Sequence, residues 1–297
     1  MVSPDSLKSI TDAMQAATGP VVFNVSPNEN PFGVPTRYRR MCENLEDLDK
    51  ATEISLNAYT GVIEHDADDQ VVVVRAGTTV SELQAELAKV GQCLPMPNLE
   101  PHLAKAVASF DGALIDEIGF NLPHGLANQC GSWRDWILGL AVIQPDGTVV
   151  KCGSKAVKNV AGYDVQKLMI GARGTLGLIA EVTLKTYPLK ALPKFEVEFV
   201  GEANCNWVQR VLPSDFGAAV LEAGSRITAF DRASSTLWAS VPPNESLKRF
   251  EFDWVLRSGC GAKNLEIVDP TVIRLMKRAK ELFDPENKMN PGEMGIL

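Results

Sequence analysis

Residues 157–185 constrain this chain more than any other stretch, because Gly162, Gly171, Gly174 and Gly177 fall where elements must end or turn. Asp164 stands before the short apolar run Val165–Ile170, placed to accept from the free N–H groups of a first helical turn. Gly171 closes that helix, since glycine enters the left-handed region without strain. Gly174 and Gly177 bracket Thr175, a spacing read here as baring backbone N–H groups to an anionic or carbonyl-bearing ligand. Leu178–Lys185 then alternates. Leu178, Ala180, Val182 and Leu184 share one face, and Glu181, Thr183 and Lys185 the other, the pattern of a half-buried strand.

Composition removes several classes. The 29 Lys and Arg against 37 Asp and Glu leave a net charge of −8, the wrong sign for a nucleic-acid binder. No apolar run approaches the roughly 20 residues that span a bilayer, so no transmembrane segment is expected. Met1-Val2-Ser3-Pro4-Asp5 lacks the basic-then-apolar pattern of a secretory leader. Cys42, Cys93, Cys130, Cys152, Cys205 and Cys260 are dispersed without a Cys-x-x-Cys pair, which suits reduced thiols in the cytoplasm and no iron–sulfur or zinc framework. His65, His102 and His124 fit no metal-ligand spacing, so no metal is expected.

Along the chain, residues 5–17 have the apolar spacing of an amphipathic helix, stopped by Gly19-Pro20, with Val21–Val25 a short strand after it. Ser26–Pro35, rich in Asn and Pro, is read as irregular. Val71–Val74 reads as a buried strand. Thr79 and Glu82 stand at capping-box spacing before a helix through Val90, with Gly91 at its end. Trp136–Ile143, the turn Pro145-Asp146-Gly147 and Thr148–Cys152 form a hairpin, with Trp133 and Trp136 at its base. Mixed helices and hairpins give an α+β class.

The phrase Lys158-Asn159-x-x-Gly162-Tyr163-Asp164, then Gly171-x-x-Gly174-Thr175-Leu176-Gly177 and an apolar strand, resembles FAD-binding oxidoreductases of the vanillyl-alcohol-oxidase (PCMH) type. That family includes the FAD-binding subunit of bacterial glycolate oxidase. The likeness extends to Val71–Gly91 and to Gly131-Ser132-Trp133-Arg134-Asp135 running through Gly147. At the far end it takes in a helix Val272–Phe283, then Phe283-Asp284-Pro285 and Met289-Asn290-Pro291-Gly292.

The resemblance implies a two-lobed α+β fold. An FAD-binding PCMH-type domain would occupy 1–190, a reduced antiparallel cap domain 191–268, and a C-terminal helix and tail, 269–297, would pack back on the FAD domain. It implies non-covalent FAD, with Gly131, Ser132, Gly162, Tyr163, Gly174, Thr175, Leu176, Gly177 and Ile179 as binding residues and Asn290 reaching the cofactor ring. Tyr163 either stacks near the flavin or is a core tyrosine. Lys158 and Arg173 either balance flavin phosphates or a partner's acidic surface, or are exposed cations without effect.

Two places depart from the family's glycine-rich loops. Ser26-Pro27-Asn28-Glu29-Asn30-Pro31-Phe32-Gly33 carries two prolines, which lack N–H donors, and an acid; Pro101–Phe110 has no glycine. Charge-assisted bonds of about 1.5–3 kcal/mol each are lost there unless Asn28, Asn30 and Lys105 replace them. Two functions remain open at this point. One is an FAD-binding subunit of a glycolate-oxidase-like complex, acting on a small 2-hydroxy acid beside a larger catalytic flavoprotein and an iron–sulfur subunit. It would be cytoplasmic and peripheral to the inner membrane through those partners. The other is a structural subunit that keeps the fold and has lost the flavin. No residue identifies itself as the catalytic base.

Overall fold

In a computed structural model the described residues are 2–24, 51–96, 112–121, 130–155, 164–192, 198–200, 205–232, 234–242, 244–251, 254–257 and 270–291. Helix α1 (Leu7–Ala16) opens on a capping box in which Ser6 and Ser9 exchange side-chain and backbone bonds, and it buries Ile10 and Met14. Its chain continues into β1 (Val21–Asn24), which pairs in parallel with β2 (Thr52–Ser55).

A five-stranded antiparallel sheet follows, built from β3 (Val62–Asp66), β4 (Val71–Arg75), β6 (Ile137–Ile143), β7 (Val149–Gly153) and β8 (Leu178–Lys185), in the order β3-β4-β8-β6-β7. Central β8 has the alternation expected of it: Leu178, Ala180, Val182 and Leu184 are fully buried. Their register partners Val72, Val74 and Leu140 complete that apolar face. Edge strands β3 and β7 are largely exposed, as suits strands with water on one side.

Between β4 and β6 lie α2 (Val80–Ala88), β5 (Gln92–Cys93), α3 (Leu114–Phe120) and α4 (Trp133–Trp136). The Thr79–Glu82 capping box forms as expected: Glu82 N–H donates to Thr79 Oγ1 at 3.2 Å, and Thr79 N–H to Glu82 Oε2 at 3.0 Å. In the hairpin turn, Thr148 N–H donates to Asp146 Oδ1 at 2.8 Å and Gly147 takes φ +83°. The hairpin strand begins one residue later than expected, because Trp133–Trp136 winds as a helical turn. Trp133 and Trp136 are fully buried there, edge-on at 5.3 Å.

The helix before the glycine turn is α5 (Gln166–Met169), shorter than the sequence suggested. Asp164 does not cap it. Its backbone carbonyl already accepts from Lys167 N–H, so the carboxylate turns outward to Lys167 Nζ at 2.8 Å and Gln166 Nε2 at 3.2 Å. The lysine contact holds the Asp164 carboxyl below the usual carboxylate range. Gly171 does end the helix, at φ +82°.

β9 (Tyr187–Pro188) pairs with β5, and the chain then builds a second antiparallel sheet. Its strands are β10 (Glu198–Phe199), β11 (Trp207–Arg210), β12 (Ile227–Asp231), β13 (Thr236–Ala239) and β14 (Trp254–Arg257), in the order β10-β12-β13-β11-β14. Helix α6 (Phe216–Ala223) covers one face, where Phe216, Ala219 and Ala223 pack with Trp207, Ile227, Phe230, Leu237 and Ala239. This core is separate from the first. The C-terminal helix α7 (Pro270–Phe283) returns to the first core through Ala279 and Phe283.

Candidate functional site

The glycine turn 171–177 is where distant parts of the chain meet. Gly171 N–H donates to Ile118 O and Arg173 N–H to Gly119 O, both at 3.0 Å, so the turn caps the C-terminal end of α3. Ala172 N–H bonds Met169 O, and Thr175 spends both its N–H and its hydroxyl on Ala172 O. These donors face protein. Arg173, at φ +50° and 4% exposed, is not a surface cation: its guanidinium lies over the Phe120 ring at 4.8 Å.

The glycines are required by close approach of protein to protein. A Cβ on Gly174 would fall 2.7 Å from Asn290 Nδ2 and 3.1 Å from the Phe23 ring, and one on Gly177 would fall 2.6 Å from Val142 Cγ1. Asn290 is 2% exposed and fully engaged. Its Oδ1 accepts from Phe23 N–H at 3.1 Å, its Nδ2 donates to Arg173 O at 2.8 Å, and its own N–H donates to Val21 O. Buried Lys280 donates to Thr175 O at 2.9 Å, Met289 O at 2.8 Å and Asp284 Oδ2 at 2.5 Å. Asp284 in turn accepts from the N–H groups of Lys288 and Met289. Burial pulls the Lys280 ammonium below its usual range, partly offset by Asp284. Thus the closing phrase around Asp284 and Asn290 pins β1, α7 and the glycine turn together.

The remaining expected residues fall as follows. Gly131 takes φ +80°, and Ser132, at the N-terminal boundary of α4, donates its N–H and hydroxyl to Asp135 Oδ2, at 2.8 and 3.0 Å. Leu176 and Ile179 lie in the first core. Gly162 and Tyr163, with Lys158, Asn28, Asn30, Lys105, His102 and His124, lie outside the described residues. His65 shares a hydrogen bond with Gln92 Oε1 at 3.0 Å.

Asn287 Oδ1 in the tail has no protein partner among the described residues, and neither do the buried atoms Trp133 Nε1 and Gln166 Oε1. The latter two sit on α4 and α5, which Arg134 Nη1 ties by donating to Lys167 O at 3.1 Å. Trp133 Nε1 needs an acceptor and Gln166 Oε1 a donor. Phosphate suits the described residues less well. In the first turn of α3, Leu114 N–H bonds Thr78 O and Ile115 N–H bonds Ala76 O, so that helix end is already closed. Two acids, Asp116 and buried Glu117, occupy the same turn, and burial pushes the Asp116 carboxyl up to about 7.

In the second sheet, sequence reasoning missed Arg210. Its register partner across the ladder is Thr236, so both lie on the face opposite α6. The side chain is partly buried, burial pulls its guanidinium below the usual range, and no ion pair reaches it among the described residues. An arginine held out of water without a carboxylate is suited to receive one from a ligand. No sequence pattern marks it beyond its place in a short apolar strand.

Comparison with known proteins agrees with this architecture. Residues 41–153 match the FAD binding domain, and residues 262–294 match the C-terminal domain of FAD linked oxidases. Glycolate oxidase subunit GlcE of Escherichia coli is 31% identical over 46% of this chain and 37% of its own length. A D-lactate dehydrogenase of Anaerostipes hadrus is 32% identical over 46% of this chain and 26% of its own. Glycolate oxidase subunit GlcD of Bacillus subtilis is 30% identical over 43% and 25%, respectively. The matched stretches span well under half the length of these relatives. Two segments of the chain are thus similar to FAD-linked oxidoreductases, in the order those domains take. FAD is the cofactor that these matches support. The unpaired donor on Trp133 and acceptor on Gln166 are of the kinds that the heteroaromatic parts of FAD can meet. Among the described residues no helix is long and apolar enough to cross a membrane.

Proposed function

We propose that this chain is the FAD-binding subunit of a glycolate-oxidase-like complex that oxidises a small 2-hydroxy acid. Two matched segments in family order, at 41–153 and 262–294, carry the reading. The buried contacts that seat the tail on the glycine turn support it. In this reading residues 1–190 form the FAD domain, 191–268 the cap, and 269–297 the returning helix and tail.

FAD would lie non-covalently beside Gly131, Ser132 and the 174–179 backbone, with Trp133 Nε1 and Gln166 Oε1 meeting its ring atoms. Gly162 and Tyr163 are kept in this reading as flavin-binding residues, and Lys158 as a counter-charge to the phosphates. The chemistry FAD supplies when bound is acceptance of two electrons from the alcohol carbon. Arg210 would pair with the substrate carboxylate and so orient it. A larger catalytic flavoprotein and an iron–sulfur subunit would complete the complex at the cytoplasmic side of the inner membrane.

A second reading, a structural subunit that has lost the flavin, draws on the acids in the first turn of α3 and the spent N–H groups of the turn. Flavin content separates the two. The chain purified alone, with FAD offered during preparation, is expected to be yellow with close to one flavin per polypeptide. A colourless protein whose melting point ignores added FAD supports the scaffold reading instead. Arg210→Met then tests the carboxylate role in the complete complex. The KM for the 2-hydroxy acid should rise about a hundredfold while flavin content stays constant.

A further inference from the structure

Helix α7 is fixed on one side and open on the other. Lys280 anchors it through Thr175, Asp284 and Met289, and Ala279 and Phe283 touch the first core. On the adjoining flank Val272 is 42%, Leu275 60% and Leu282 79% exposed. With Ala279 between them, these residues repeat at intervals of three and four, which lines them up as one seam along a helix. Single exposed apolar residues mean little, but a seam in that register is the shape that receives another helix.

Charge selects the occupant. Arg278, three residues after Leu275 and four before Leu282, borders the seam, and Arg274 precedes it by one turn; both are exposed and without an ion pair among the described residues, and with exposed Lys277 they outnumber the helix's one acid, Glu281. Pairing the seam with its own copy in the antiparallel sense would bring Arg278 beside its symmetry mate. Parallel pairing offers no opposite charge either. A partner carrying acids beside its own apolar stripe neutralises Arg278 and lowers the net positive charge of this face. We infer that the Val272–Leu275–Leu282 flank of α7 docks an acidic amphipathic helix of a different protein chain. The inference is independent of whether flavin is bound, since none of these residues touches the glycine turn.

The test places the photocrosslinker p-benzoylphenylalanine at Leu275 or Leu282 of the full chain, in cells that make the complete complex, and maps the adducts by mass spectrometry. The expected adduct joins another polypeptide within an acidic amphipathic helix. The double charge reversal Arg274→Glu with Arg278→Glu should lower its yield about tenfold without changing the circular dichroism or the flavin content. Adducts confined to a second copy of this chain, to lipid or to the chain itself overturn the proposal. So does a yield that ignores the charge reversal in a folded protein.

Discussion

The two five-stranded sheets solve burial differently. The first has exposed edges and a central strand that alternates, so its inner face is apolar and its ends carry Glu64, His65, Lys151 and other polar residues. The second buries every residue of β12 and β13, including Asp231 and Thr236. Its polar groups are met locally: Asp231 Oδ2 accepts from Ser234 N–H at 3.1 Å, and Ser234 Oγ bonds Thr236 Oγ1 at 2.9 Å. The first sheet instead borrows its polar closure from the far end of the chain. Its stability is therefore concentrated in a few distant contacts, while that of the second is spread through neighbours.

Substitutions can sharpen that contrast. Lys280→Ala removes three bonds at once and strands the buried Asp284 carboxylate, so it should cost about 3–5 kcal/mol in urea unfolding. A first-sheet transition unmoved by it would break the comparison. Two glycines at positive φ give the next effect. Gly174→Ala meets Asn290 and Phe23, and about 2–3 kcal/mol is expected. Gly224→Ala, at φ +55° with open space around it, should lose only about 1 kcal/mol in the same assay.

Asp116 gives a pH-dependent case. Its folded carboxyl is raised to about 7 from 3.8, so the folded state binds the extra proton between those values. Stability is then greatest below pH 3.8, falls as pH rises to about 7, and is level above. Asp116→Asn should match the parent at low pH and exceed it at pH 8 by about 2 kcal/mol, since part of the side chain meets solvent and screens the penalty. Parallel pH profiles of thermal melting would remove this argument. The smallest contrast lies at two helix starts. Thr79→Ala loses a working cap and about 1 kcal/mol. Asp215→Ala, before α6, should change little because its side chain makes no cap bond.

What could be read from the sequence follows the same division. The alternation of β8, the Thr79–Glu82 box, the Pro145-Asp146-Gly147 turn and Gly171 are local patterns, and each forms where the sequence places it. Strands β12 and β13 have no alternation to read, because both faces are covered. Lys280 was illegible for another reason: among Arg274, Lys277 and Arg278 it looks like one more surface cation. Only its spacing of four from Asp284 hinted at a pair. In the glycine turn the sequence reading looked to a ligand, and nothing in the pattern says that Phe23 and Asn290 crowd Gly174.

The tail also sets a timetable for the chain. Val21 N–H donates to Lys288 O, Val21 O accepts from Asn290 N–H, and Phe23 N–H reaches Asn290 Oδ1. Strand β1 pairs with nearby β2 along one edge, but its other edge must wait for partners such as Asn290, 267 residues further along the chain than Phe23. During that interval an apolar strand edge stays open to chaperones or to misassembly, and any frameshift or nick ahead of Lys288 leaves it so permanently.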